Sequence, residues 1–508
     1  MNLADALALN GRLRPNRLAV LDRAREWRYA EFDAAVQNLA DGLSGLGIRP
    51  GDIVAAGFGD NAEHLVALYA IARLGGTALP MDFRWTAPET ARVLAAFGAR
   101  AALLEKETWR ELAKLPKLVR RLEGRVVLRE ADDGGGATDF ETVMAQGRAA
   151  PAARGKSPDM TGRPLLIALT SGTTGRPKGA VLTHGQMYAR FVAQWAHLSF
   201  NGEDRYLSAT PIYHGAGRGF CMSHLFAGGQ VVLGSYPFDA LKVLQDIANH
   251  RITTTFLVPT LLQRILDEPG LESFDRSSLR VVLSSGAALS PALRADVLRR
   301  FTPNLYDYYG STDGGGVSVL CPRDQQSHGD SVGRAMLNLE IRVLGADGGA
   351  VEPGTEGEVC YRGPGVAGGY FKNPAATAQT FRDGWFHSGD LGRLDHDGLL
   401  YVTGRIKDII IRGGVNIYPA EVESILAGHP RVIEAALLGE PSREFGEEAV
   451  AFIVLRNRVS AEQLGTFCRE RLAPYKVPAR FVSVAELPRN VGGKVIREEL
   501  PKLPPLPF

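Results

Sequence analysis

Cysteine is scarce in this chain: Cys221, Cys321, Cys360 and Cys468 stand far apart among 508 residues and form no C-x-x-C pair. That spacing excludes a disulfide framework and a paired-cysteine metal or redox motif, and it fits a reducing, cytoplasmic setting. Charge of one sign is equally absent, since 58 basic residues face 56 acidic ones for a formal charge of +2. A broad footprint for nucleic acid or anionic lipid is thereby excluded, and any phosphate site must be local. Long apolar runs are missing as well. No stretch approaches the ~18 residues that span a bilayer, and the start of the chain, which includes Asp5, lacks the basic-then-apolar order of a secretion signal. No internal repeat is present.

What the chain does have is alternation. Apolar, β-branched runs at 54–56, 101–104, 165–169, 231–233, 254–258 and 281–283 alternate with stretches of helical period such as 62–74 and 291–301. This predicts an α/β fold with buried strands. Residues 132–136 and 149–158 have no period and predict surface loops. From Glu340 onward, short alternating segments at 340–344, 358–362 and 399–402 are separated by Gly/Asp turns. They predict a β-rich subdomain that closes a large N-terminal domain of layered α/β subdomains. After Gly404-Arg405 the pattern predicts a strand over 407–412, a helix over 419–427, strands over 432–438 and 449–455, and a helix near 461–472. The expected division is 1–404 and 405–508, the second part being a small α+β domain.

The sharpest motif is Thr170-Ser171-Gly172-Thr173-Thr174-Gly175-Arg176-Pro177-Lys178-Gly179, placed directly after a buried strand. Glycines let backbone amides approach an anion, hydroxyls add donors, and the lysine supplies charge, so the stretch suits a polyphosphate. It is not a Walker A loop, which needs Gly-Lys followed by Ser or Thr. A Gly/Ser/Thr stretch alone would more often be a surface turn; the Pro-Lys-Gly ending reverses that preference.

Further blocks follow in order: Tyr309-Gly310-Ser311-Thr312-Asp313, Gly384-Trp385-Phe386-His387-Ser388-Gly389-Asp390, Gly404-Arg405-Ile406-Lys407-Asp408, and Pro488-Arg489-Asn490-Val491-Gly492-Gly493-Lys494. With the decapeptide, they resemble the adenylate-forming superfamily of acyl-CoA synthetases, luciferases and the adenylation domains of nonribosomal peptide synthetases. The resemblance covers nearly the whole chain. It implies an acyl-CoA synthetase in which ATP activates a fatty or aromatic carboxylic acid as acyl-AMP, pyrophosphate leaves, and the acyl group passes to coenzyme A.

The same resemblance implies the roles of single residues. Adenine would lie between Gly286-Ala287-Ala288 and the ring of Tyr309, with Gly310 and Ser311 in the same block. Asp390 would accept from the ribose hydroxyls, a task for a carboxylate with several lone-pair sites, assisted by Arg405. Thr312 would bind the α-phosphate. Asp313 stands where the family usually has glutamate for Mg2+, and its side chain is one methylene shorter, which suits contact through water. Lys494 would be the catalytic lysine, on a mobile loop with Gly492 and Gly493.

His214, in Pro211-Ile212-Tyr213-His214-Gly215-Ala216-Gly217, and Tyr308 would line the acyl pocket. No aspartate occurs between Thr210 and Gly219 to pair with a substrate ammonium, which disfavours an amino acid. Arg218 could meet a second carboxylate, although an exposed arginine is the ordinary fate. Lys407 would be the hinge about which a mobile C-terminal domain swings. Gly413 and Gly414 would line the pantetheine tunnel, and Arg84 and Phe445 would touch the coenzyme A phosphate and adenine.

The implied partners are a small carboxylic acid, ATP and coenzyme A, with Mg2+ as cofactor, no nucleic acid and no membrane span; a homodimer is left open. Two rival readings stand beside this one. The first is a ligase delivering to a carrier-protein thiol, against which no carrier domain follows Phe508. The second is a non-catalytic nucleotide-binding protein, which the intact blocks oppose.

Overall fold

The computed structural model describes the chain except for residues 24, 123, 131–135, 152–158, 171–177, 414 and 491–492. Two sheets, seven- and nine-stranded, form the large part of the molecule. In the first, Ile53–Gly57, Thr77–Pro80, Ala101–Leu104, Val126–Leu128 and Pro164–Thr170 run parallel, and Lys178–Thr183 closes one edge antiparallel. The strand Ala101–Leu104 is buried at every position, which is why it reads as a continuous apolar run instead of an alternating one. Helix Ala62–Leu74 starts where Asn61 accepts from the His64 amide and stops at Gly75, whose φ of 80° is left-handed.

The nine-stranded sheet positions the site. Its parallel core is Gln230–Leu233, Arg205–Ser208, Thr254–Phe256, Val281–Ser284 and Leu305–Ser311, in that spatial order. The chain steps one way from Arg205–Ser208 to Gln230–Leu233 and the other way to Thr254–Phe256. Such a reversal opens a crevice at the carboxyl ends of the strands, the usual place for a ligand in an open α/β sheet. Leu305–Ser311 then turns back into the antiparallel strand Gly315–Leu320. A buried Arg294 Nη2 to Asp307 Oδ2 contact of 2.6 Å ties Leu305–Ser311 to the preceding helix.

The β-rich subdomain is a five-stranded sheet of Glu340–Leu344, Gly357–Arg362, Phe381–Arg382, Trp385–Leu394 and Leu400–Arg405. Arg405 still belongs to this sheet, opposite Asp390. The C-terminal part follows a turn at Ile406–Asp408. It contains the hairpin Ile410–Arg412 and Val415–Ile417, the long hairpin Val432–Ser442 and Gly446–Leu455, the parallel strand Arg480–Val484, and helices Pro419–Ala427 and Ala461–Arg469. Leu437, Ile453 and Leu464 meet in its own buried core.

Several expectations need correction. The strand expected from Lys407 begins only at Ile410, because residues 406–408 form a 3-10 turn between two sheets. The helix expected over 291–301 is α-helical for Pro291–Asp296 and widens into a π-turn over Val297–Phe301. Ala149 is not in a loop but ends the helix Phe140–Ala149. Residues 152–158 and most of 132–136 lie outside the described residues. No helix among the described residues is long and apolar enough to cross a membrane.

Candidate active site

A cavity of about 870 Å³ sits at the carboxyl ends of the nine-stranded sheet, roofed by the β-rich subdomain and by the loop that carries Lys494. Strand ends and the residues just after them supply Phe256, Val258, Ser285, Gly286 and Gly310 to its wall, and a helix start supplies His214. Of the motif residues, Lys178, Ser311, Thr312, Asp313, Asp390, Arg405 and Lys407 line the same space. Ser171, Gly172, Thr173, Thr174 and Gly175 lie outside the described residues, as does the side chain of Thr170. Thr170 pairs with Lys178 across the antiparallel ladder, and Lys178 lines the cavity.

At the nucleotide end, Asp390 is the hub. Arg405 Nε lies 2.9 Å from its Oδ1, and the Tyr309 hydroxyl donates to its Oδ2 at 2.6 Å. An ionised carboxylate offers about four lone-pair sites, so two remain for a ligand. The turn before it is held by Glu358, whose Oε1 accepts from the Gly389 amide at 3.1 Å and whose Oε2 lies 2.8 Å from His387 Nδ1. Gly389 has a φ of 70°, a left-handed value that suits glycine. Of the expected adenine contacts, Gly286 lines the cavity, whereas Ala287, Ala288 and Tyr309 do not. Tyr309 is tied to Asp390 through its hydroxyl.

In the middle, Thr312 and Asp313 are fixed by Arg190, a half-buried side chain on the helix His184–Leu198. Its Nη1 and Nη2 donate to the carbonyls of Thr312 and Asp313 at 3.1 and 2.8 Å, and its Nε donates to the Gly365 carbonyl at 2.7 Å. Burial lowers the Arg190 pKa to about 10, still cationic at neutral pH. The Thr312 hydroxyl lies 3.8 Å from where a Cβ on Gly215 would be, beside the N-terminus of helix Gly215–Ala227. Donors and dipole at that end favour an anion. Asp313 Oδ1 is buried with no hydrogen-bond partner among the described residues, and burial raises its pKa against the pull of Arg190 and Lys178. An unpaired, buried carboxylate oxygen fits a hard divalent cation.

Lys494 reaches this cavity from the C-terminal part. Its backbone amide donates to Asn490 Oδ1 at 3.0 Å, closing a tight turn flanked by the Arg489–Val495 bridge. Gly493 has a φ of 78° and sits against Val258, so that a Cβ there would come within 3.1 Å of Val258 Cγ2. Burial, with Arg405 and Lys407 nearby, lowers the Lys494 ammonium pKa to about 8.

At the apolar end, His214 lies at a helix start: its Nδ1 accepts from the Ala216 amide at 3.4 Å. Burial and the nearby Arg218 push its pKa down to about 4, so the ring is neutral at pH 7. Phe191, Phe220, Phe256, Val258 and Tyr308 form apolar walls, with Phe220 and Phe256 stacked at 5.3 Å. Arg218 corrects the expectation of exposure. It is only 4% exposed and lines the cavity, because its guanidinium folds back onto the Tyr213 carbonyl at 2.9 Å.

The proposed coenzyme A residues stand apart from this wall. Gly413 has a φ of 57° and donates to the Phe445 carbonyl at 2.7 Å, and Arg412 lies over the Phe445 ring at 3.9 Å; Gly414 is outside the described residues. Arg84 binds Asp82 and the hydroxyls of Tyr213 and Tyr236, and it does not line the cavity.

Sequence reasoning missed Arg190, Gln194 and Glu358. The signal was present for the first two: Met187, Arg190, Phe191 and Gln194 follow the i, i+3, i+4, i+7 spacing of one helix face, and two polar residues on an apolar face mark a site.

Residues 7–371 match the model of the AMP-binding enzyme family, and residues 421–494 match that of the AMP-binding enzyme C-terminal domain. The chain belongs to the AMP-binding enzyme family. Within it, the relatives place this AMP-binding enzyme in the acyl-CoA synthetase branch, as the motif resemblance implied. It is 36% identical to a feruloyl-CoA synthase from Amycolatopsis over 492 residues, 96% of each chain. It is 32% identical over 511 residues to a fatty acid–[acyl-carrier-protein] ligase from Streptomyces coeruleorubidus, covering 98% of this chain and 95% of that one. The o-succinylbenzoate CoA synthetase of Bacillus subtilis, solved with its acyl-adenylate intermediate, superposes with a TM-score of 0.84 at 31% identity, covering 97% of each chain. The same synthetase has been solved with ATP and a magnesium ion.

Proposed function

We propose that this AMP-binding enzyme is an ATP-dependent acid–CoA ligase that forms an acyl-AMP and then an acyl-CoA thioester. The observation that carries the reading is the presence of Lys494, from the C-terminal part, in one cavity with Thr312, Asp390 and His214. Asp390 and Arg405 hold the ribose, and Gly286 and Tyr309 flank the base. The 170–178 stretch and Thr312 hold the phosphates. Asp313 is the residue that would hold Mg2+, which when bound offsets polyphosphate charge. The acid lies toward His214, Tyr308 and the phenylalanines.

In the first step a substrate carboxylate oxygen bonds to the α-phosphorus as the bond to pyrophosphate breaks. Lys494 faces the negative charge that builds there, a positioned cation beside the reacting phosphorus. Neutral His214 keeps its Nδ1 on the Ala216 amide and so presents the rest of its ring to the acid. In the second step the part after Lys407 swings about that residue, withdrawing Lys494. The Gly413–Gly414 face then approaches so that the coenzyme A thiol attacks the acyl carbon and AMP leaves. Lys407 suits a pivot, being exposed in the turn between two sheets.

The test is product analysis with purified protein, ATP, Mg2+ and a panel of acids, with and without coenzyme A. Acyl-AMP and pyrophosphate without the thiol, and acyl-CoA with it, are the expected products. Acyl-AMP that is never consumed by coenzyme A but is consumed by a phosphopantetheinylated carrier protein would assign the acceptor as protein.

A further inference from the structure

Arg218 poses a problem of charge. It is 4% exposed, and its pKa, lowered to about 10 by burial and by Arg190, leaves it cationic at neutral pH. A buried cation is costly unless paired. Nη1 donates to the carbonyls of Tyr213 at 2.9 Å and Ile212 at 3.5 Å. The other donors, on Nε and Nη2, have no acceptor among the described residues, and no carboxylate there lies within ion-pair reach. Arg190, the other guanidinium in the cavity and half-buried, differs: carbonyls of Gly365, Thr312 and Asp313 occupy its three nitrogens.

The free edge of Arg218 has a specific shape. Nε–H and Nη2–H point in parallel from one side of a planar group, matching the two oxygens of a carboxylate. Arg218 lines the cavity among Phe191, Phe220, Phe256 and Gly219, and a Cβ at Gly219 would meet nothing within 4 Å. A second unsatisfied group lies in the same wall: Gln194 is 7% exposed, its Oε1 has no partner among the described residues, and its Nε2 is 3.4 Å from the Tyr308 hydroxyl.

We propose that the acid activated by this enzyme carries a second carboxylate, read by the Nε–Nη2 edge of Arg218 at the apolar end of the cavity. This rests on the ligase reading above. The second carboxylate supplies the missing counter-charge, so the site is built for a dicarboxylic acid and leaves a buried guanidinium unpaired when a monocarboxylic acid enters.

The experiment compares matched pairs in an ATP–pyrophosphate exchange assay: adipate against hexanoate, and 3-(2-carboxyphenyl)propanoate against 3-phenylpropanoate. At least one dicarboxylate should exceed its partner by about 10-fold or more in kcat/KM, the range of a charged hydrogen bond made or lost. Arg218→Gln should bring that ratio to about one, and Arg218→Lys should restore part of it. Equal losses in both series, or a wild-type preference for the monocarboxylates, would overturn the proposal while leaving the ligase reading intact. Exchange with none of the acids would instead sink the ligase reading and this one with it. Should Arg218→Gln not fold, thermal unfolding of the wild type decides. The preferred dicarboxylate should raise Tm more than its distal monomethyl ester, and equal shifts would overturn the proposal.

Discussion

Gly493 packs against Val258: a Cβ on the glycine would lie 3.1 Å from Val258 Cγ2, and the glycine's φ is 78°. One residue thus belongs to the turn that presents Lys494, and the other to the wall of the acid-binding end of the cavity. On the proposed two-step reading, this contact belongs to the orientation of the first step, and it can be disturbed without touching a charged group.

Gly493→Ala should therefore slow acyl-AMP formation more than thioester formation from supplied acyl-AMP. A side chain at a left-handed φ and a tight contact together cost ~1–2 kcal/mol, or ~5–30-fold in rate. Rapid-quench measurement of each half-reaction checks this; equal slowing of both would count against a contact specific to one orientation.

The lowered pKa of Lys494 gives a pH dependence with a definite sign. The working form is the ammonium, present below a pKa of about 8 in the free enzyme. kcat/KM for ATP in the adenylation step should fall as pH rises through about 8, well before an ordinary lysine would titrate, because this ratio reports the free enzyme. Lys494→Arg should remove that limb at the expense of rate. A profile flat to pH 10 would show that Lys494 carries no essential proton.

Asp390→Asn keeps the shape of the hub but loses its charge. The Tyr309 hydroxyl and Arg405 would then face a weaker acceptor, and ribose would lose one of two charge-assisted bonds. KM for ATP should rise ~10–100-fold, the range of ~1.5–3 kcal/mol for hydrogen bonds to charged groups, with a smaller change in KM for the acid. Calorimetric titration with ATP reads this directly.

Arg190→Met should destabilise the fold and the site together. Three part-buried carbonyls, on Gly365, Thr312 and Asp313, would lose their donor, at up to ~1–3 kcal/mol for each group left without water or another partner. Denaturant unfolding should show a loss of several kcal/mol, and ATP binding should weaken because Thr312 and Asp313 are no longer held. A variant as stable as the wild type would mean that the loop is held by other contacts.

Much of this was legible in the residues themselves. Buried parallel strands such as Ala101–Leu104 announce themselves as unbroken apolar runs, and the blocks around Asp390, Arg405 and Lys494 placed those residues at one site. Their local chemistry has few other uses. What escaped depends on packing across distance. Arg218 was expected in water, since arginine usually is there. Its burial follows from the way the first turn of Gly215–Ala227 folds the side chain back onto Tyr213, which no periodicity reveals. Arg190 and Gln194 lay on an apolar helix face, and only the tertiary contact with Thr312 and Asp313 shows why a cation belongs there. Lys407 looked like strand because Ile409, Ile410 and Ile411 follow it, yet a passage between two sheets needs a turn.

The most direct check of the central claim is exchange of labelled pyrophosphate into ATP, driven by a panel of mono- and dicarboxylic acids. The wild type should catalyse exchange with at least one of them in the absence of coenzyme A, and Lys494→Ala should lower it by ~100-fold or more, the scale of removing one group that stabilises developing charge. Exchange that persists undiminished in Lys494→Ala, or that no acid elicits in the wild type, would contradict the account.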